Sequence, residues 1–435
     1  MSTQAKPQAA WKSIGIVASG NFLEMYDFMV FGFYAAIIGQ VHFPGNNEYA
    51  SLMLALMTFG AGFLMRPVGA LVLGAYIDRH GRRTGLLLTL GLMAVGTFAI
   101  AATPSYATIG LAAPLAILTG RLVQGLSAGV ELGGVSVYLS EIAPPGRKGF
   151  FVSWQSASQQ MAIVFAAIIG IVLASTLSPD EMKSWGWRVP FVIGCLLIPF
   201  VYAIRRHLVE TPHYLTRPRH PTFSEIYRSL HQAKGLVLLG MMMTIMTTVS
   251  FYMITSYTPT FGTNELHLTR LESLIVTLSA AFSNFVLLPT MGAVSDRIGR
   301  KRLLIGATVM MLLTAYPALT WLVDAPSFSR LLAVELWLSL VYSSYNGALV
   351  VYLTEIMPPA VRTAGFSMAY SLATALFGGF TPAIATYLIH ETGNKAMPGA
   401  WLSLAAVLSL IAVLVMTRRP ASVAATATSS EHPAI

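Results

Sequence analysis

The chain is poor in charge. Only 10% of its 435 residues are Asp, Glu, Lys or Arg, against about 25% in an ordinary soluble domain. Water cannot solvate such a surface over its whole length. Cysteine is nearly missing too: Cys195 stands alone in an apolar run, so no disulfide can form within the chain. There is no Gly-Lys dipeptide, hence no phosphate-cradling G-x-x-x-x-G-K-[ST] loop. No soluble stretch is long enough for a nucleotide domain either, which excludes an ATP-driven pump. The nine histidines fall in loops, tails or at a helix end, and no H-E-x-x-H occurs. A membrane metalloenzyme is therefore not expected, nor is a metal site or any enzymatic chemistry.

What is present is hydrophobic. Apolar residues make up 55% of the chain and lie in long runs bounded by short charged clusters, the pattern of membrane-spanning helices. Twelve runs are long enough to span, the first over about 14–40 and the last over about 399–417. The first is read as a retained span, because no short apolar core with a small-residue cleavage site precedes it. The net charge of +9 could suit nucleic acid. The charges, however, sit in short blocks between apolar runs, so lipid is the expected surroundings and nucleic acid is not. Of the 27 Lys and Arg, 20 fall in the N-terminus, the even-to-odd loops and the C-terminus. Five lie on the opposite side (Lys183, Arg188, Arg270, Arg330, Lys395), and Arg66 and Arg121 lie within spans. This asymmetry places both termini in the cytoplasm, which requires an even number of spans.

The sequence also repeats. The loop after the second span reads Gly74-Ala75-Tyr76-Ile77-Asp78-Arg79-His80-Gly81-Arg82-Arg83, and the loop after the eighth reads Gly292-Ala293-Val294-Ser295-Asp296-Arg297-Ile298-Gly299-Arg300-Lys301, 218 residues later. Ser140-Glu141-Ile142-Ala143-Pro144-Pro145 after the fourth span matches Thr354-Glu355-Ile356-Met357-Pro358-Pro359 after the tenth, at an offset of 214. Two matches at nearly one offset mark a duplication. The expected organisation is a six-helix bundle over 1–205, a cytoplasmic linker over 206–234 broken by Pro212, Pro218 and Pro221, a second bundle over 235–420, and a disordered tail over 421–435. A parallel duplication of this kind places a solute site near the midplane, where the halves meet.

The duplicated G-x-x-x-D-R-x-G-R-[RK] loop resembles the signature loop of the major facilitator superfamily, and Arg121-Leu122-Val123-Gln124-Gly125 resembles its R-x-x-Q-G motif. The glycine-proline motif of its antiporters is absent from the fifth span, which favours a symporter or uniporter. Gly20-Asn21-Phe22-Leu23-Glu24, Arg66-Pro67-Val68-Gly69-Ala70, Gly129-Val130-Glu131-Leu132-Gly133-Gly134 and Trp154-Gln155-Ser156-Ala157-Ser158-Gln159-Gln160 are similar to the metabolite–proton symporter family within it, over about residues 14–417. The resemblance implies an all-α fold of twelve spans in two pseudo-symmetric bundles in the bacterial inner membrane. It further implies proton-coupled uptake of a tricarboxylate, citrate first and tricarballylate next, by a unit that functions as a monomer. The proton is then the coupling ion and no other cofactor is implied. A non-transporting solute sensor of the same fold is the alternative from another class.

Ionised groups in hydrocarbon are costly and need a reason. Six fall within spans: Glu24, Asp27, Arg66, Arg121, Glu131 and Glu335. Four acids against two bases would repel an anionic substrate, so charge balance calls for protonation of one or more acids when the anion binds. Arg121 is expected to meet the substrate, its planar fork suiting a carboxylate; a permanent pair with Asp27 or Glu24 is the structural alternative. Asn21, Glu24 and Asp27 recur every three residues and are placed on one helix face, with Glu24 or Asp27 as proton carrier or as an interhelix pair. Glu131 is read as a relay or as packing, Arg66 as structural or gating, and Glu335 as snorkelling from the outer end of its span. Gln155 and Gln159 are substrate candidates or helix glue. The second half offers only neutral donors: Tyr252, Tyr257, Asn284, Tyr342 and, favoured for depth, Tyr345 and Asn346. Asp78 with Arg82 and Asp296 with Arg300 are implied by the resemblance to form a latch, each carboxylate meeting a helix N-terminus and nearby arginines. Gly125, Gly129 and Gly133 read as a close-packing stripe, and Gly378-Gly379 with Pro382 as a hinge.

Overall fold

A computed structural model describes residues 21–45, 47–80, 82–129, 131–205, 223–358 and 362–418. The proposed tail and most of the linker lie outside these residues. So do the side chains of Asp78, Arg82 and Glu131. The chain is helical throughout the described spans. In the first half, α1 runs Asn21–Phe33 and continues, after a 65° bend, as Ala35–His42. Then come α2 (Glu48–His80), α3 (Arg82–Ala102), α4 (Ala112–Ser127 and Glu131–Ile142), α5 (Lys148–Thr176) and α6 (Val189–Arg205). A helix over Phe223–Gln232 precedes the second half. There, α7 spans Lys234–Glu265, α8 Arg270–Ile298, α9 Arg300–Asp324, α10 Phe328–Ile356, α11 Arg362–Thr392 and α12 Met397–Arg418.

Among the described residues nine helices are long and apolar enough to cross a bilayer, and the bent α1 makes a tenth. The remaining two spans are α3, whose apolar part is Leu87–Ala102, and α4, which is interrupted where Gly129 lies against the Arg66 carbonyl of α2. Within the first half α4 packs on α2 and α3, and α6 on α3; within the second, α10 packs on α8 and α9, and α12 on α7 and α9. Between the halves α5 packs along α8 and α2 along α11. Each half's second helix thus meets the other half's fifth, as a two-fold relation between duplicated halves requires.

Several helices depart from regular geometry. The bend in α1 falls at Tyr34, and Arg270 Nη2 donates to the Phe33 carbonyl at 3.1 Å, catching an acceptor the bend exposes. In α7 the turn widens to π geometry over Met253–Tyr257 and again over Phe261–Glu265. In α11 it widens over Thr374–Gly378, the position read as a hinge. Such widened turns often mark functional sites. The glycine stripe of α4 is shared between two partners. Gly125 and Gly129 lie against α2, at the carbonyls of Gly62 and Arg66, while Gly133 faces Ser367 of α11 in the other half.

Candidate substrate site between the two halves

A buried cavity lies at the middle of the bundle. Met25 of α1, Arg66 of α2 and Gln159 of α5 line it from the first half. Thr248, Phe251 and Tyr252 of α7, with Tyr370 and Thr374 of α11, line it from the second. The Thr374 hydroxyl has no hydrogen-bond partner among the described residues. As it stands the cavity holds roughly one water molecule, far too little for a carboxylate metabolite. The halves touch at both ends. At the end bearing the duplicated basic loops, Ser140 and Thr354 hydroxyls lie 3.3 Å apart. At the opposite end Gly32 admits the Ser256 side chain, and the Tyr49 and His390 rings meet edge-on at 3.8 Å.

Arg66 is the cation of this cavity. Its Nη2 pairs with Glu24 Oε1 at 2.5 Å, and both side chains are buried. Its guanidinium lies 5.1 Å from the ring centres of Phe28 and Phe63. Arg66 was read from the sequence as structural or gating; the structure places it on the wall of the cavity. Arg121 sits against the same rings, 4.5 Å from Phe28 and 5.8 Å from Phe63, with Phe31 and Phe59 closing the cage. Phe28 and Phe63 stack at 4.6 Å, so the two arginines share one pair of rings. Arg121, expected to meet the substrate, is fully buried and does not line the cavity.

Arg121 instead opens a hydrogen-bonded chain into the first half. Its Nη1 donates to Gln124 Oε1 at 2.9 Å, Gln124 Nε2 donates to the Thr97 hydroxyl at 3.0 Å, and that hydroxyl donates to Asp27 Oδ2. Asp27 Oδ1 is buried with no partner among the described residues. Asn21, Glu24 and Asp27 therefore address α5, α2 and α3 in turn. Steps of three residues fall about 60° short of a full turn, so the three side chains fan out rather than share one contact. Asn21 Nδ2 donates to the Gln155 carbonyl at 3.0 Å, and Gln159 Nε2 donates to Asn21 Oδ1 at 3.2 Å. Of this trio, Gln159 reaches the cavity.

In the second half the favoured pair lies elsewhere. The Tyr345 hydroxyl donates to the Met243 carbonyl at 2.7 Å, and Asn346 Nδ2 donates to the Tyr342 hydroxyl at 3.4 Å. Asn284 accepts from Ser343 at 2.9 Å and Tyr257 from Thr386 at 3.0 Å. Tyr252 is the one sequence candidate of this half that lines the cavity. Thr248, Phe251, Tyr370 and Thr374 were missed. Their signal was a hydroxyl-bearing stripe at three- and four-residue steps, Thr244-Thr248-Tyr252 in α7 and Ser367-Tyr370-Thr374 in α11. Glu335 does not snorkel. It is 3% exposed, and its Oε1 accepts from the Thr258 hydroxyl at 2.8 Å.

At the basic-loop end Asp296 joins the halves. Its two oxygens accept from the backbone N–H groups of Gly149 and Phe150, at 2.8 and 3.0 Å. These belong to the first turn of α5, where amide hydrogens lack intrahelical partners and the dipole favours an anion. Arg300 Nη1 pairs with Asp296 Oδ1 at 2.7 Å, and Nη2 reaches Glu355 Oε1 at 3.3 Å.

Comparison with known proteins adds to this geometry. Residues 14–221 match the family model described as sugar (and other) transporter, and residues 263–434 the model of the Major Facilitator Superfamily. The citrate-proton symporter of Klebsiella pneumoniae is 57% identical over 405 residues, 93% of this chain and 91% of that protein. The citrate-proton symporter of Salmonella typhi is 56% identical over 400 residues, 92% of each chain. Among solved structures, the E. coli xylose transporter in a partially occluded inward-open conformation superposes with a TM-score of 0.76 at 18% identity, covering 94% of this chain and 98% of that one. That likeness concerns the fold.

Proposed function

The chain belongs to the major facilitator superfamily, and from that premise we propose that it takes up citrate together with protons by alternating access. The identity to citrate-proton symporters over nine-tenths of the chain supports the substrate. The observation that carries the mechanism is the Arg66–Glu24 pair on the cavity wall. A substrate carboxylate competes with Glu24 for the Arg66 fork. Once displaced, the Glu24 carboxylate loses the pairing that offset its burial, and a proton neutralises it. Anion and proton then favour each other's binding, and by linkage the preference is reciprocal. The hydroxyls of Thr248, Tyr252, Tyr370 and Thr374 and the Gln159 amide supply neutral donors for the remaining oxygens.

Asp27, at the end of the Arg121–Gln124–Thr97 chain, is the proposed second carrier in the first half, with Arg121 as its fixed countercharge. The basic-loop end is taken as the cytoplasmic face, since 20 of the 27 Lys and Arg belong to that side. Asp296 on the first turn of α5 then latches the outward-facing and closed states. The test is uptake of labelled citrate into liposomes containing the purified full chain. An inward proton gradient should drive accumulation above equilibrium, and collapsing the gradient with a protonophore should abolish it. Accumulation indifferent to the gradient refutes coupling. Stronger competition by tricarballylate than by unlabelled citrate reassigns the substrate.

A further inference from the structure

In the first half Glu24 pairs with Arg66, Asp27 is linked to Arg121 through Thr97 and Gln124, and the side chain of Glu131 lies outside the described residues. In the second half one acid stands outside any such pairing. Glu335 is 3% exposed within α10, its Oε1 accepts one hydrogen bond from Thr258, and its Oε2 has no partner among the described residues. No cation pairs with it among the described residues. The charged side chains at the outer ends of the neighbouring helices are engaged elsewhere. Arg270 of α8 bonds the Phe33 carbonyl, Glu272 caps α8 through Thr269, Arg330 of α10 bonds the Trp321 carbonyl, and Lys395 bonds the Glu265 carbonyl. From α7 the group that meets it is Thr258, while the neighbouring Tyr257 turns its hydroxyl to Thr386 of α11. An ionised carboxylate buried without a cation is unfavourable; a protonated one is not.

The hydrogen bonding around Glu335 suits either protonation state. The Thr258 hydroxyl has one proton and two lone pairs. It lies 2.8 Å from Glu335 Oε1 and also 2.8 Å from the Ile254 carbonyl of its own helix. Facing an ionised Glu335, Thr258 donates to the carboxylate. Facing a protonated one, it accepts from the carboxyl and turns its proton to Ile254. Neither state leaves the hydroxyl unsatisfied. Asp27 has the same arrangement, because Thr97 reaches both Asp27 Oδ2 and the Met93 carbonyl, the latter at 2.9 Å. Both acids also keep one buried oxygen without a partner among the described residues. Thr258 further joins the two π turns of α7, Met253–Tyr257 and Phe261–Glu265, so Glu335 holds the segment that continues from the cavity-lining Thr248 and Tyr252.

We propose that Glu335 is a proton-binding site of the second half, loaded and discharged once per transport cycle, with the Thr258 hydroxyl bonding it in either protonation state. The proposal rests on the proton-coupled reading above and deepens it. A fully ionised tricarboxylate entering a cell against an inside-negative potential needs several positive charges to travel with it, and the acids of the first half are not the only ones placed to supply them. The proton is taken from the outer solution and released to the inner one, and nothing else is consumed.

The test is the proton-to-citrate ratio of the full chain in liposomes, measured from the pH gradient that just halts net citrate flux at fixed membrane potential. Glu335→Gln should lower the ratio by one, and Glu335→Asp should restore it. Infrared difference spectra give a second readout. A protonated-carboxyl band should vanish in Glu335→Gln and shift in Thr258→Val, which keeps the acid but removes its hydrogen bond. Should Glu335→Gln fail to fold, the Thr258→Val band decides alone. A gradient-driven wild type whose ratio is unchanged by Glu335→Gln overturns the proposal, as does an infrared band indifferent to Thr258→Val. A wild type with no gradient dependence overturns the proton-coupled reading instead.

Discussion

Arg66 and Arg121 carry the same charge against the same two phenylalanines, but only Arg66 lines the cavity, and their substitutions should fail differently. Arg66 lines the cavity and pairs with Glu24, and in the proposed mechanism it exchanges that partner for a substrate carboxylate. Lysine there keeps the charge but loses the planar fork. A charge-assisted hydrogen bond is worth about 1.5–3 kcal/mol, so Arg66→Lys should weaken citrate binding by about tenfold or more. Arg121 is packed against Phe28 and Phe63 and is bonded to Gln124 and to the Phe59 carbonyl. Arg121→Lys should leave citrate affinity within about threefold and change the pH dependence of uptake, because it disturbs the chain leading to Asp27. Calorimetric titration of both variants with citrate at two pH values checks this. The reverse ranking would place the substrate at Arg121. The sequence favoured Arg121 because each charge was weighed by its depth in its own helix. The Arg66–Glu24 pair joins α1 and α2 across 42 residues, and hydropathy carries no trace of it.

At the scale of helices, the contact between α5 and α8 depends on two glycines that face each other. A Cβ on Gly292 would meet the Gly149 carbonyl and lie 2.6 Å from Ser153 Oγ, while one on Gly149 would meet the Gly292 carbonyl and lie 2.7 Å from Ser295 Oγ. Backbone atoms cannot yield as a side-chain tip can. Gly292→Ala should therefore separate α5 from α8 at the basic-loop end and pull the first turn of α5 off Asp296, at a cost of about 1–3 kcal/mol. A thiol placed at Ser140, on a Cys195→Ser background, should then be alkylated several-fold faster. An unchanged rate would show that the two helices part without the glycines' help. The duplicated loop displayed Gly292 plainly, as it displayed the twelve spans through hydropathy and the two halves through the matched offsets. The reason for that glycine lies in a partner 143 residues away in the chain. The bend at Tyr34 and the widened turns of α7 and α11 were illegible as well. A run of apolar residues looks the same whether its turns are regular or wide.

Across the whole molecule, contacts at both ends enclose a cavity that fits about one water. Substrate can enter only when one set of contacts opens, and can leave on the other side only when the other set does. Alternating access calls for these two sets of contacts to part in turn: α5 with α8 and α4 with α10 at one end, α1 with α7 and α2 with α11 at the other. Locking a single end should stop net transport while leaving the other end free to open. Ser140 and Thr354 suit this purpose, since their hydroxyls are 3.3 Å apart and belong to opposite halves. The chain's single cysteine makes the experiment clean, because Cys195→Ser removes every competing thiol. In the Ser140→Cys, Thr354→Cys double variant on that background, oxidation should form a disulfide and abolish citrate uptake, and reduction should restore it. Citrate should still bind to the oxidised protein from the opposite side in detergent. Uptake that survives complete cross-linking would mean that substrate reaches the interior without parting the halves at this end, and the alternating-access reading would fail with it.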